Sequence, residues 1–563
     1  MAGFRGGEVR LLRKVLVTFV ALVALAGCTP APRLKDTPIS SPANTPVDTG
    51  EIVVGVDTIA GGYNPHNFAD QSAITTALST LLLPSVFRPG PDGTPALDRT
   101  LMTAAEVTRA DPYTVTYQIR SDASWSDAAP VAAEDFVYLR EQMTGQPGVV
   151  DSAGYRLISD INARDGGKVV EVVFGKPYPG WRTLFDNLLP AHILKDAPGG
   201  WNGALQANFP ATAGPFTVKT LDNDRGEVAL ERNDRYWEEP PNLDRIVLRR
   251  TEQETLVDAL EQGHDQMALV RTDSVGAKTL GELAPSIATS TVARPSVTTV
   301  YLRASPQLAD LPVRRALAAM LDRAQLITVG TGNGPAAQLP ADAQALAPTA
   351  PGYQKTMPAD VGYAPAAAQT LLTGAGYTRT SAGWALDGRP LALVIGAAEE
   401  RPADVRIARD VQRQLAAGGV VAEVAELPGR QLYQRLYDST ATAGGTGAVD
   451  IAVTSRPTGG DPATMLATDF GCVTTATPAV PVNPAGYCDV AIQPTIDAAL
   501  TGSLSVTEAL TSVEPSLWRA AVAIPLYQEA DVLAVRGELT GVTPGAGFAG
   551  PFAGAAFWKR SAG

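Results

Sequence analysis

LALVIGAAEERPADVRIARDVQRQLAAGGVVAEVAEL, residues 391–427, has the pattern of a strand, a helix and a second strand. Its ends, 391–395 and 420–427, are apolar runs with β-branched residues, which is typical of buried strands. Between them, over 404–416, apolar side chains recur at the three- and four-residue spacing of a helix. These inward positions are Val405, Ala408, Val411 and Leu415.

A helix over 430–437 and a strand over 449–453 continue the same alternation. Such a βαβαβ order produces a parallel or mixed sheet with helices on both faces, because parallel strands need crossover connections. We therefore predict an α/β fold with mixed sheets flanked by helices.

Further elements are expected along the rest of the chain. Residues 51–57 form an apolar strand that ends in Gly61-Gly62-Tyr63-Asn64-Pro65, a turn that is either a ligand-binding edge or an ordinary connection. A helix over 310–327 is expected to have Asp310 as its N-cap and Pro312 in its first turn. The other expected elements are strands at 113–120 and 169–174 and helices at 71–83, 130–139 and 184–194.

Charge and length limit what the protein can do. Its 563 residues are too many for one simple core, so two or three domains are expected. The net charge is −13; residues 1–27 carry +3, so the remainder carries about −16. Because phosphate binding needs clustered Lys and Arg, this balance argues against nucleic acid as a partner.

The N-terminus predicts a secreted, lipid-anchored protein. Basic residues precede an apolar run, 15–24, that is too short to span a bilayer, and Leu25-Ala26-Gly27-Cys28 follows. This sequence resembles the bacterial lipobox, which implies lipidation of Cys28 and cleavage before it. The alternative is a plain secretion signal. A Pro/Ser/Thr-rich linker, 28–50, would then tether the body to the outer face of the membrane.

The other two cysteines, Cys472 and Cys488, lie sixteen residues apart in a Pro/Gly/Thr-rich stretch. In an oxidising compartment a disulfide is the expected state, with free buried thiols as the alternative. The three histidines, His66, His192 and His264, show no metal-ligand spacing, and no Gly-x-Ser-x-Gly elbow occurs. We therefore expect no enzyme, no cofactor and no metal site.

Residues 113–140 resemble the signature region of family 5 extracellular solute-binding proteins, the oligopeptide, dipeptide and nickel type. Ala128 stands where that family has glycine, so the turn at this point is expected to differ. Similar runs continue along the mature chain. The motifs that carry the resemblance include Ile119-Arg120, Trp125-Ser126-Asp127, Pro130–Ala133, Glu134-Asp135-Phe136, Ala213–Phe216 and Leu230–Trp237.

The resemblance implies a two-lobed, type II periplasmic-binding-protein-like fold with an extra subdomain in the first lobe. We expect a signal peptide at 1–27, a linker at 28–50, and a first lobe at 51–295 that includes the subdomain 86–199. A second lobe at 296–519 and a return segment at 520–563 complete the chain. The resemblance further implies that the protein is a monomer. It would present a small-molecule or peptide ligand to the membrane permease of an ABC transporter, which works with a cytoplasmic ATPase.

Ligands of two-lobed α/β proteins lie where strands end. The candidate cleft residues follow expected strands and are Tyr63, Asn64, His66, Thr454, Ser455, Arg456 and Asp461. Peptide binders of the family carry Asp-Tyr before the position of Asp461, but Thr458, Gly459 and Gly460 stand here. Peptide binding through the amine is therefore in doubt. Arg456 offers a cation for an anionic or sugar-bearing ligand, or is a salt-bridged structural residue.

A narrower resemblance is to one lipoprotein of this family that is associated with the synthesis of mannosylated phosphatidylinositol lipids. It rests on Val54–Asp57, Tyr63–His66, Gln146–Asp151, Tyr178–Trp181 and Leu189–Ile193. The second hypothesis is therefore a regulatory or glycolipid-binding lipoprotein whose partner is a membrane mannosyltransferase. An extracytoplasmic hydrolase is the weakest of three hypotheses.

Replacement of Cys28 by Ser should release the protein from membranes, because the lipid-accepting thiol is lost. Fractionation of cells followed by immunoblotting measures the membrane-bound share. The neighbouring Thr29→Ser change keeps the thiol and should leave the protein membrane-bound. Equal membrane retention of the Cys28→Ser and Thr29→Ser variants would contradict the hypothesis that a lipid on Cys28 anchors the protein.

Overall fold

Ten strands form one mixed sheet in the computed structural model, which describes residues 50–59, 62–90, 93–437, 448–473, 480–481, 483–545 and 549–561. Four further strands form a separate antiparallel sheet, β2-β3-β5-β4. The strands are β1 Glu51–Val56, β2 Met102–Ala110, β3 Tyr113–Ile119, β4 Ile158–Arg164, β5 Val169–Phe174, β6 Phe216–Asp222, β7 Glu227–Arg232, β8 Arg245–Arg250, β9 Met267–Val270, β10 Ile287–Leu302, β11 Ala392–Ala398, β12 Val421–Leu427, β13 Ile451–Pro457 and β14 Ala523–Arg536.

Fourteen α-helices in the described ranges accompany these strands. They are α1 Ala73–Leu82, α2 Ala133–Gly145, α3 Ala191–Leu194, α4 Gly200–Gly203, α5 Gln253–Glu261, α6 Ser274–Gly281, α7 Leu311–Met320, α8 Arg323–Thr331, α9 Pro365–Gly374, α10 Pro402–Gly418, α11 Gly429–Tyr437, α12 Pro462–Phe470, α13 Gln493–Leu500 and α14 Val506–Ala520. No helix in this part of the chain is long and apolar enough to cross a membrane.

The large sheet has the order β12-β11-β13-β10-β14-β9-β1-β8-β7-β6. The long antiparallel strands β10 and β14 run through its middle, and the pairing between them shifts register between Ala293 and Val297. On one side of this break β14 pairs with β9, and on the other β10 pairs with β13. The break divides the sheet into an N-terminal half (β1 and β6–β9) and a C-terminal half (β11–β13).

One hydrophobic cluster extends across both halves of the sheet, and a second packs against the C-terminal half. The larger cluster joins the N-terminal half, α1 and the four-stranded sheet, and contains the fully buried Trp125 and Trp558. The second cluster packs α7, α8 and α10 against the C-terminal half, around Leu317, Ile407 and Ile395. The division between the halves is therefore marked by the register break in the crossing strands, and the boundary at 295/296 remains our prediction.

Asp135 joins two parts of the segment 113–140 to the start of α3. Its buried carboxylate accepts hydrogen bonds from the backbone N–H groups of Ala132 and Ala191 and from Trp125 Nε1, at 3.0, 3.0 and 3.2 Å. Burial raises the pKa of Asp135 to about 6 although these donors oppose the shift. Nearby, Ala128 has a φ of 76°, so this alanine keeps the left-handed turn that glycine favours.

The βαβαβ prediction is confirmed. Strands β12 and β13 both pair in parallel with β11, and α10 and α11 provide the crossover segments. The structure extends β11 by three residues at its C-terminal end, and β13 by four, relative to the expected strands. The predicted strands at 51–57, 113–120 and 169–174 are also confirmed, to within a residue at each end.

Two predicted helices are wrong. Most of 184–194 is not helical, because Phe185 and Asn187 adopt positive φ values of 60° and 46°, and only Ala191–Leu194 forms a helical turn. The predicted helix 310–327 is two helices, α7 and α8, that are separated at Leu321 and Asp322. The Asp322 side chain accepts a hydrogen bond from the Gln325 N–H at 3.1 Å and so starts a new helix.

The structure joins Cys472 to Cys488 by the expected disulfide. Cys28, the signal sequence and most of the linker lie outside the described residues, so lipidation stays a prediction.

Asp322→Ala should lower the free energy of unfolding by about 1 kcal/mol, because the N-terminus of α8 loses its side-chain cap. Asp310 occupies the same position before α7 but makes no side-chain cap hydrogen bond, so Asp310→Ala is the matched control. Its cost should stay below about 0.5 kcal/mol, the usual range for surface changes. Urea unfolding measures both, and equal losses would contradict this assignment of the caps.

Candidate functional site

A cavity of about 940 Å³ lies between the two halves of the large sheet. Both halves contribute to its wall. The N-terminal half supplies residues 57–58, 62, 68–73, 206–207, 223, 253 and 271–273, and Arg294 comes from the crossing strand β10. Residues 329–332, 398, 400–403, 406, 428–430, 433 and 455 come from the other half.

The ends of parallel strands position most of this wall. Strands β1 and β9 end at Val56 and Val270, and the residues that follow them enter the wall from one side. From the other side, the connections after β11 and β12 lead into the N-termini of α10 and α11. Ligands of α/β sheets bind at this edge, because there the chain leaves the strands as loops.

Three arginines of the cavity wall, Arg271, Arg294 and Arg401, meet one buried carboxylate, Glu529, behind that wall. Arg271 Nη2 and Arg294 Nη1 lie 3.2 and 3.3 Å from Glu529 Oε2, and Arg401 Nη2 contacts Oε1. Burial alone would raise the pKa of Glu529, but the three guanidinium groups outweigh it and hold the pKa well below its usual range. We call these four residues the Glu529 cluster.

The Glu529 cluster links both halves through the crossing strand β14. Arg271 follows β9 in the N-terminal half, whereas Arg401 precedes α10 in the C-terminal half. Arg401 also binds Asp404 at 2.6 Å through Nε, and its Nη2 donates to Ser455 Oγ. The Ser455 hydroxyl in turn donates to Glu529 Oε1 at 2.7 Å, so Ser455 belongs to the same network.

A second contact between the halves lies at another part of the wall. Arg430 Nη2 on α11 is 3.0 Å from both carboxylate oxygens of Asp70. The Phe68 ring stacks on Tyr433 and Tyr437 of the same helix, with ring centroids 5.8 and 6.0 Å apart. Burial raises the pKa of Asp70 to about 6 against the opposing effect of Arg430.

The structure places the three candidates from the first loop outside the cavity wall. Tyr63 is buried, and its hydroxyl donates to Asn223 Oδ1 at 2.5 Å. Asn223 itself lines the cavity. Asn64 is buried and its side chain accepts the backbone N–H of His66. His66 Nε2 donates to the Asn187 carbonyl at 3.0 Å, and burial lowers the pKa of His66.

Of the four later candidates, Ser455 lines the cavity and the other three do not. Thr454 is buried and pairs with the Tyr433 hydroxyl. Arg456 is buried and binds Asp469 at 2.8 Å and the Ala345 carbonyl at 2.9 Å, which is the structural alternative considered above. Asp461 caps α12 by accepting the Thr464 N–H at 2.9 Å.

Sequence reasoning missed Arg271, Arg294, Arg401 and Glu529. A signal for Glu529 was present: Gln528, Glu529 and Asp531 interrupt the apolar pattern of a strand, and buried charges of this kind need partners. Among the described residues, no group of three or more His, Cys, Asp or Glu is arranged to hold a metal ion.

A mixed sheet in two halves, joined by crossing strands beside a cavity that both halves line, is the architecture of two-lobed, type II periplasmic binding proteins. Two solved structures share this fold. The periplasmic EDTA-binding protein EppA is 22% identical with a TM-score of 0.71, over 92% of this chain and 97% of that one. The oligopeptide-binding protein AppA from Bacillus subtilis, solved with a nonapeptide, is 16% identical with a TM-score of 0.73, over 92% and 100%.

The chain belongs to the bacterial extracellular solute-binding proteins of family 5, whose middle-region model matches residues 100–473. These are binding proteins and not enzymes. A relative from Mycobacterium tuberculosis, named as a probable monoacyl phosphatidylinositol tetramannoside-binding protein, LpqW, is 37% identical over 93% of this chain and 94% of its own length. The oligopeptide-binding protein OppA of Mycobacterium bovis is 26% identical over 87% and 82%.

Glu529→Gln should lower the free energy of unfolding by about 3–5 kcal/mol, because three partly buried guanidinium groups lose the buried carboxylate that they share. Urea unfolding provides the measurement. The control is Glu426→Gln, which removes a carboxylate from the exposed pair with Arg409 and should cost less than about 1 kcal/mol. Similar losses in both variants would show that the Glu529 cluster does not stabilise the fold.

Proposed function

We propose that this protein is a lipid-anchored solute-binding protein of an ABC-type importer. It holds a peptide or a related polar solute between its lobes and gives it to a membrane permease that a cytoplasmic ATPase drives. The lipid on Cys28 keeps the monomer at the outer face of the membrane. The observation that supports this proposal is the cavity whose wall comes from both halves of the sheet.

The size and character of the cavity fit a polar solute. A volume of about 940 Å³ lies near the upper end of the usual range for ligand pockets, about 300–1,000 Å³. Its wall is rich in charged and amide side chains, including Gln71, Gln206 and Asn223. A solute that contacts both walls favours the closed arrangement of the lobes, because it binds that arrangement more tightly.

Binding of a free peptide amine needs a fixed carboxylate, and of the four carboxylates in the described wall only Asp70 is in an ion pair within the protein. Asp70 pairs with Arg430, and Asp273 caps α6 by accepting the Gly276 N–H at 2.9 Å. Asp57 and Glu400 each accept a backbone N–H, from Arg271 at 3.3 Å and from Gly429 at 3.0 Å. The family's amine-binding Asp-Tyr pair is also replaced ahead of Asp461.

The replacement of that pair favours a second candidate function. A mannosylated inositol head group consists of hydroxyl groups and one phosphate, so it needs no carboxylate for an ammonium. The 37% identical relative bears the name of a monoacyl phosphatidylinositol tetramannoside-binding protein. In this second function the protein binds such a glycolipid or regulates a membrane mannosyltransferase.

A thermal-unfolding screen of the detergent-extracted protein should identify the ligand class. A ligand at one hundred times its Kd stabilises the native state by about 2.7 kcal/mol. The panel comprises short peptides, mannose oligosaccharides and deacylated phosphatidylinositol mannosides. Stabilisation by peptides supports the import receptor, and stabilisation by the mannosides alone supports the second function. No shift with any of them would contradict both.

The site of binding is tested by filling the cavity. Ala207 is exposed and lines the cavity, so Ala207→Trp should abolish the ligand-dependent shift without a large loss of stability. The matched control is Ala366→Trp, on the exposed face of α9 and away from the wall, which should keep the full shift. A shift that survives Ala207→Trp would place the ligand elsewhere.

A further inference from the structure

Arg406 differs from the other four arginines of the cavity wall. Those four all face carboxylates: Arg271, Arg294 and Arg401 face Glu529, and Arg430 faces Asp70. Within the described ranges, no carboxylate oxygen lies within ion-pairing distance of Arg406, although its side chain reaches the cavity.

In the part of the chain that the structure describes, the hydrogen bonds of Arg406 go to backbone carbonyls. Nε and Nη2 lie 3.4 Å from the carbonyl oxygens of Val329 and Gly330, near the C-terminal end of α8. These distances are long for hydrogen bonds of a charged donor, which are normally about 2.7–2.9 Å. The carbonyls orient the guanidinium without neutralising it, and the residue remains exposed.

Arg406 lies near the N-terminal end of α10, which forms part of the cavity wall. Pro402 lies four residues earlier, on the same face of the helix, and also lines the wall. The positive end of the seventeen-residue helix therefore adds to the charge of Arg406. The described wall's acidic groups outside an ion pair, Asp57, Asp273 and Glu400, each accept a backbone N–H and keep their charge. None of these three groups lies within ion-pairing distance of Arg406.

We infer that Arg406 binds an anionic oxygen group of the solute, a carboxylate or a phosphate. This inference rests on the proposed function, because it assigns a specificity-determining residue to the same cavity. A guanidinium can donate two parallel hydrogen bonds to two oxygens of either group. The shared chemistry is therefore a pair of neighbouring oxygens that carry negative charge.

Isothermal titration calorimetry with paired probes tests the inference and separates the two sources of the anion. One pair is deacylated phosphatidylinositol tetramannoside and the same glycan after removal of its glycerophosphate. The other pair is a pentapeptide with a free carboxyl terminus and the same peptide amidated. In at least one pair the charged member should bind the unmodified protein more tightly, by about tenfold or more.

Arg406→Gln should weaken binding of that charged probe by about 10- to 100-fold and leave its uncharged partner unchanged. The control is Arg409→Gln on the same helix, because Arg409 pairs with Glu426 outside the cavity wall and its loss should change neither affinity.

Equal affinity of Arg406→Gln and unmodified protein for every charged probe would overturn the inference while leaving the proposed function intact. Equal affinity for both members of each pair would do the same. Failure of all four probes to bind the unmodified protein would instead overturn the proposed function, and this inference with it.

Discussion

The burial of Glu529 among three arginines is the constraint on which the arrangement of the two halves depends. Its side chain is 1% exposed, and a carboxylate removed from water to that extent costs several kcal/mol unless cations surround it. Those cations come from the N-terminal half, the crossing strand β10 and the C-terminal half. The burial of Glu529 therefore requires both halves to bring arginines together beside the cavity.

Local patterns in the sequence were sufficient to predict many of the helices and strands, whereas the two-lobed arrangement was predicted from the family resemblance. The helical spacing of Val405, Ala408 and Val411 identified α10, and the flanking apolar runs identified two parallel strands. The errors arose where buried apolar residues do not follow a regular element. Phe185, Leu188 and Leu189 are all buried, but positive φ values along 185–187 prevent a helix, and apolar character alone does not reveal backbone conformation.

The ends of strands were the weakest part of the site prediction. Strand β13 was expected to end at Val453, so Thr454, Ser455 and Arg456 were expected in a loop, but the strand continues to Pro457 and all three are buried within it. Strand β11 also continues to Ala398, which moves its loop to the residues that include Arg401. Of these three residues Ser455 still lines the cavity, whereas Thr454 and Arg456 pack in the core, because a strand buries side chains on both faces of a covered sheet.

Hydrogen exchange of the detergent-extracted protein tests most directly whether a solute is enclosed between both halves. Deacylated phosphatidylinositol tetramannoside and a pentapeptide are the probes, each compared with the protein alone. We expect one of them to slow amide exchange at 398–406 and 428–433 and also at 269–273, on opposite walls of the cavity. Protection confined to one wall, or found only outside these segments, would contradict binding between the lobes.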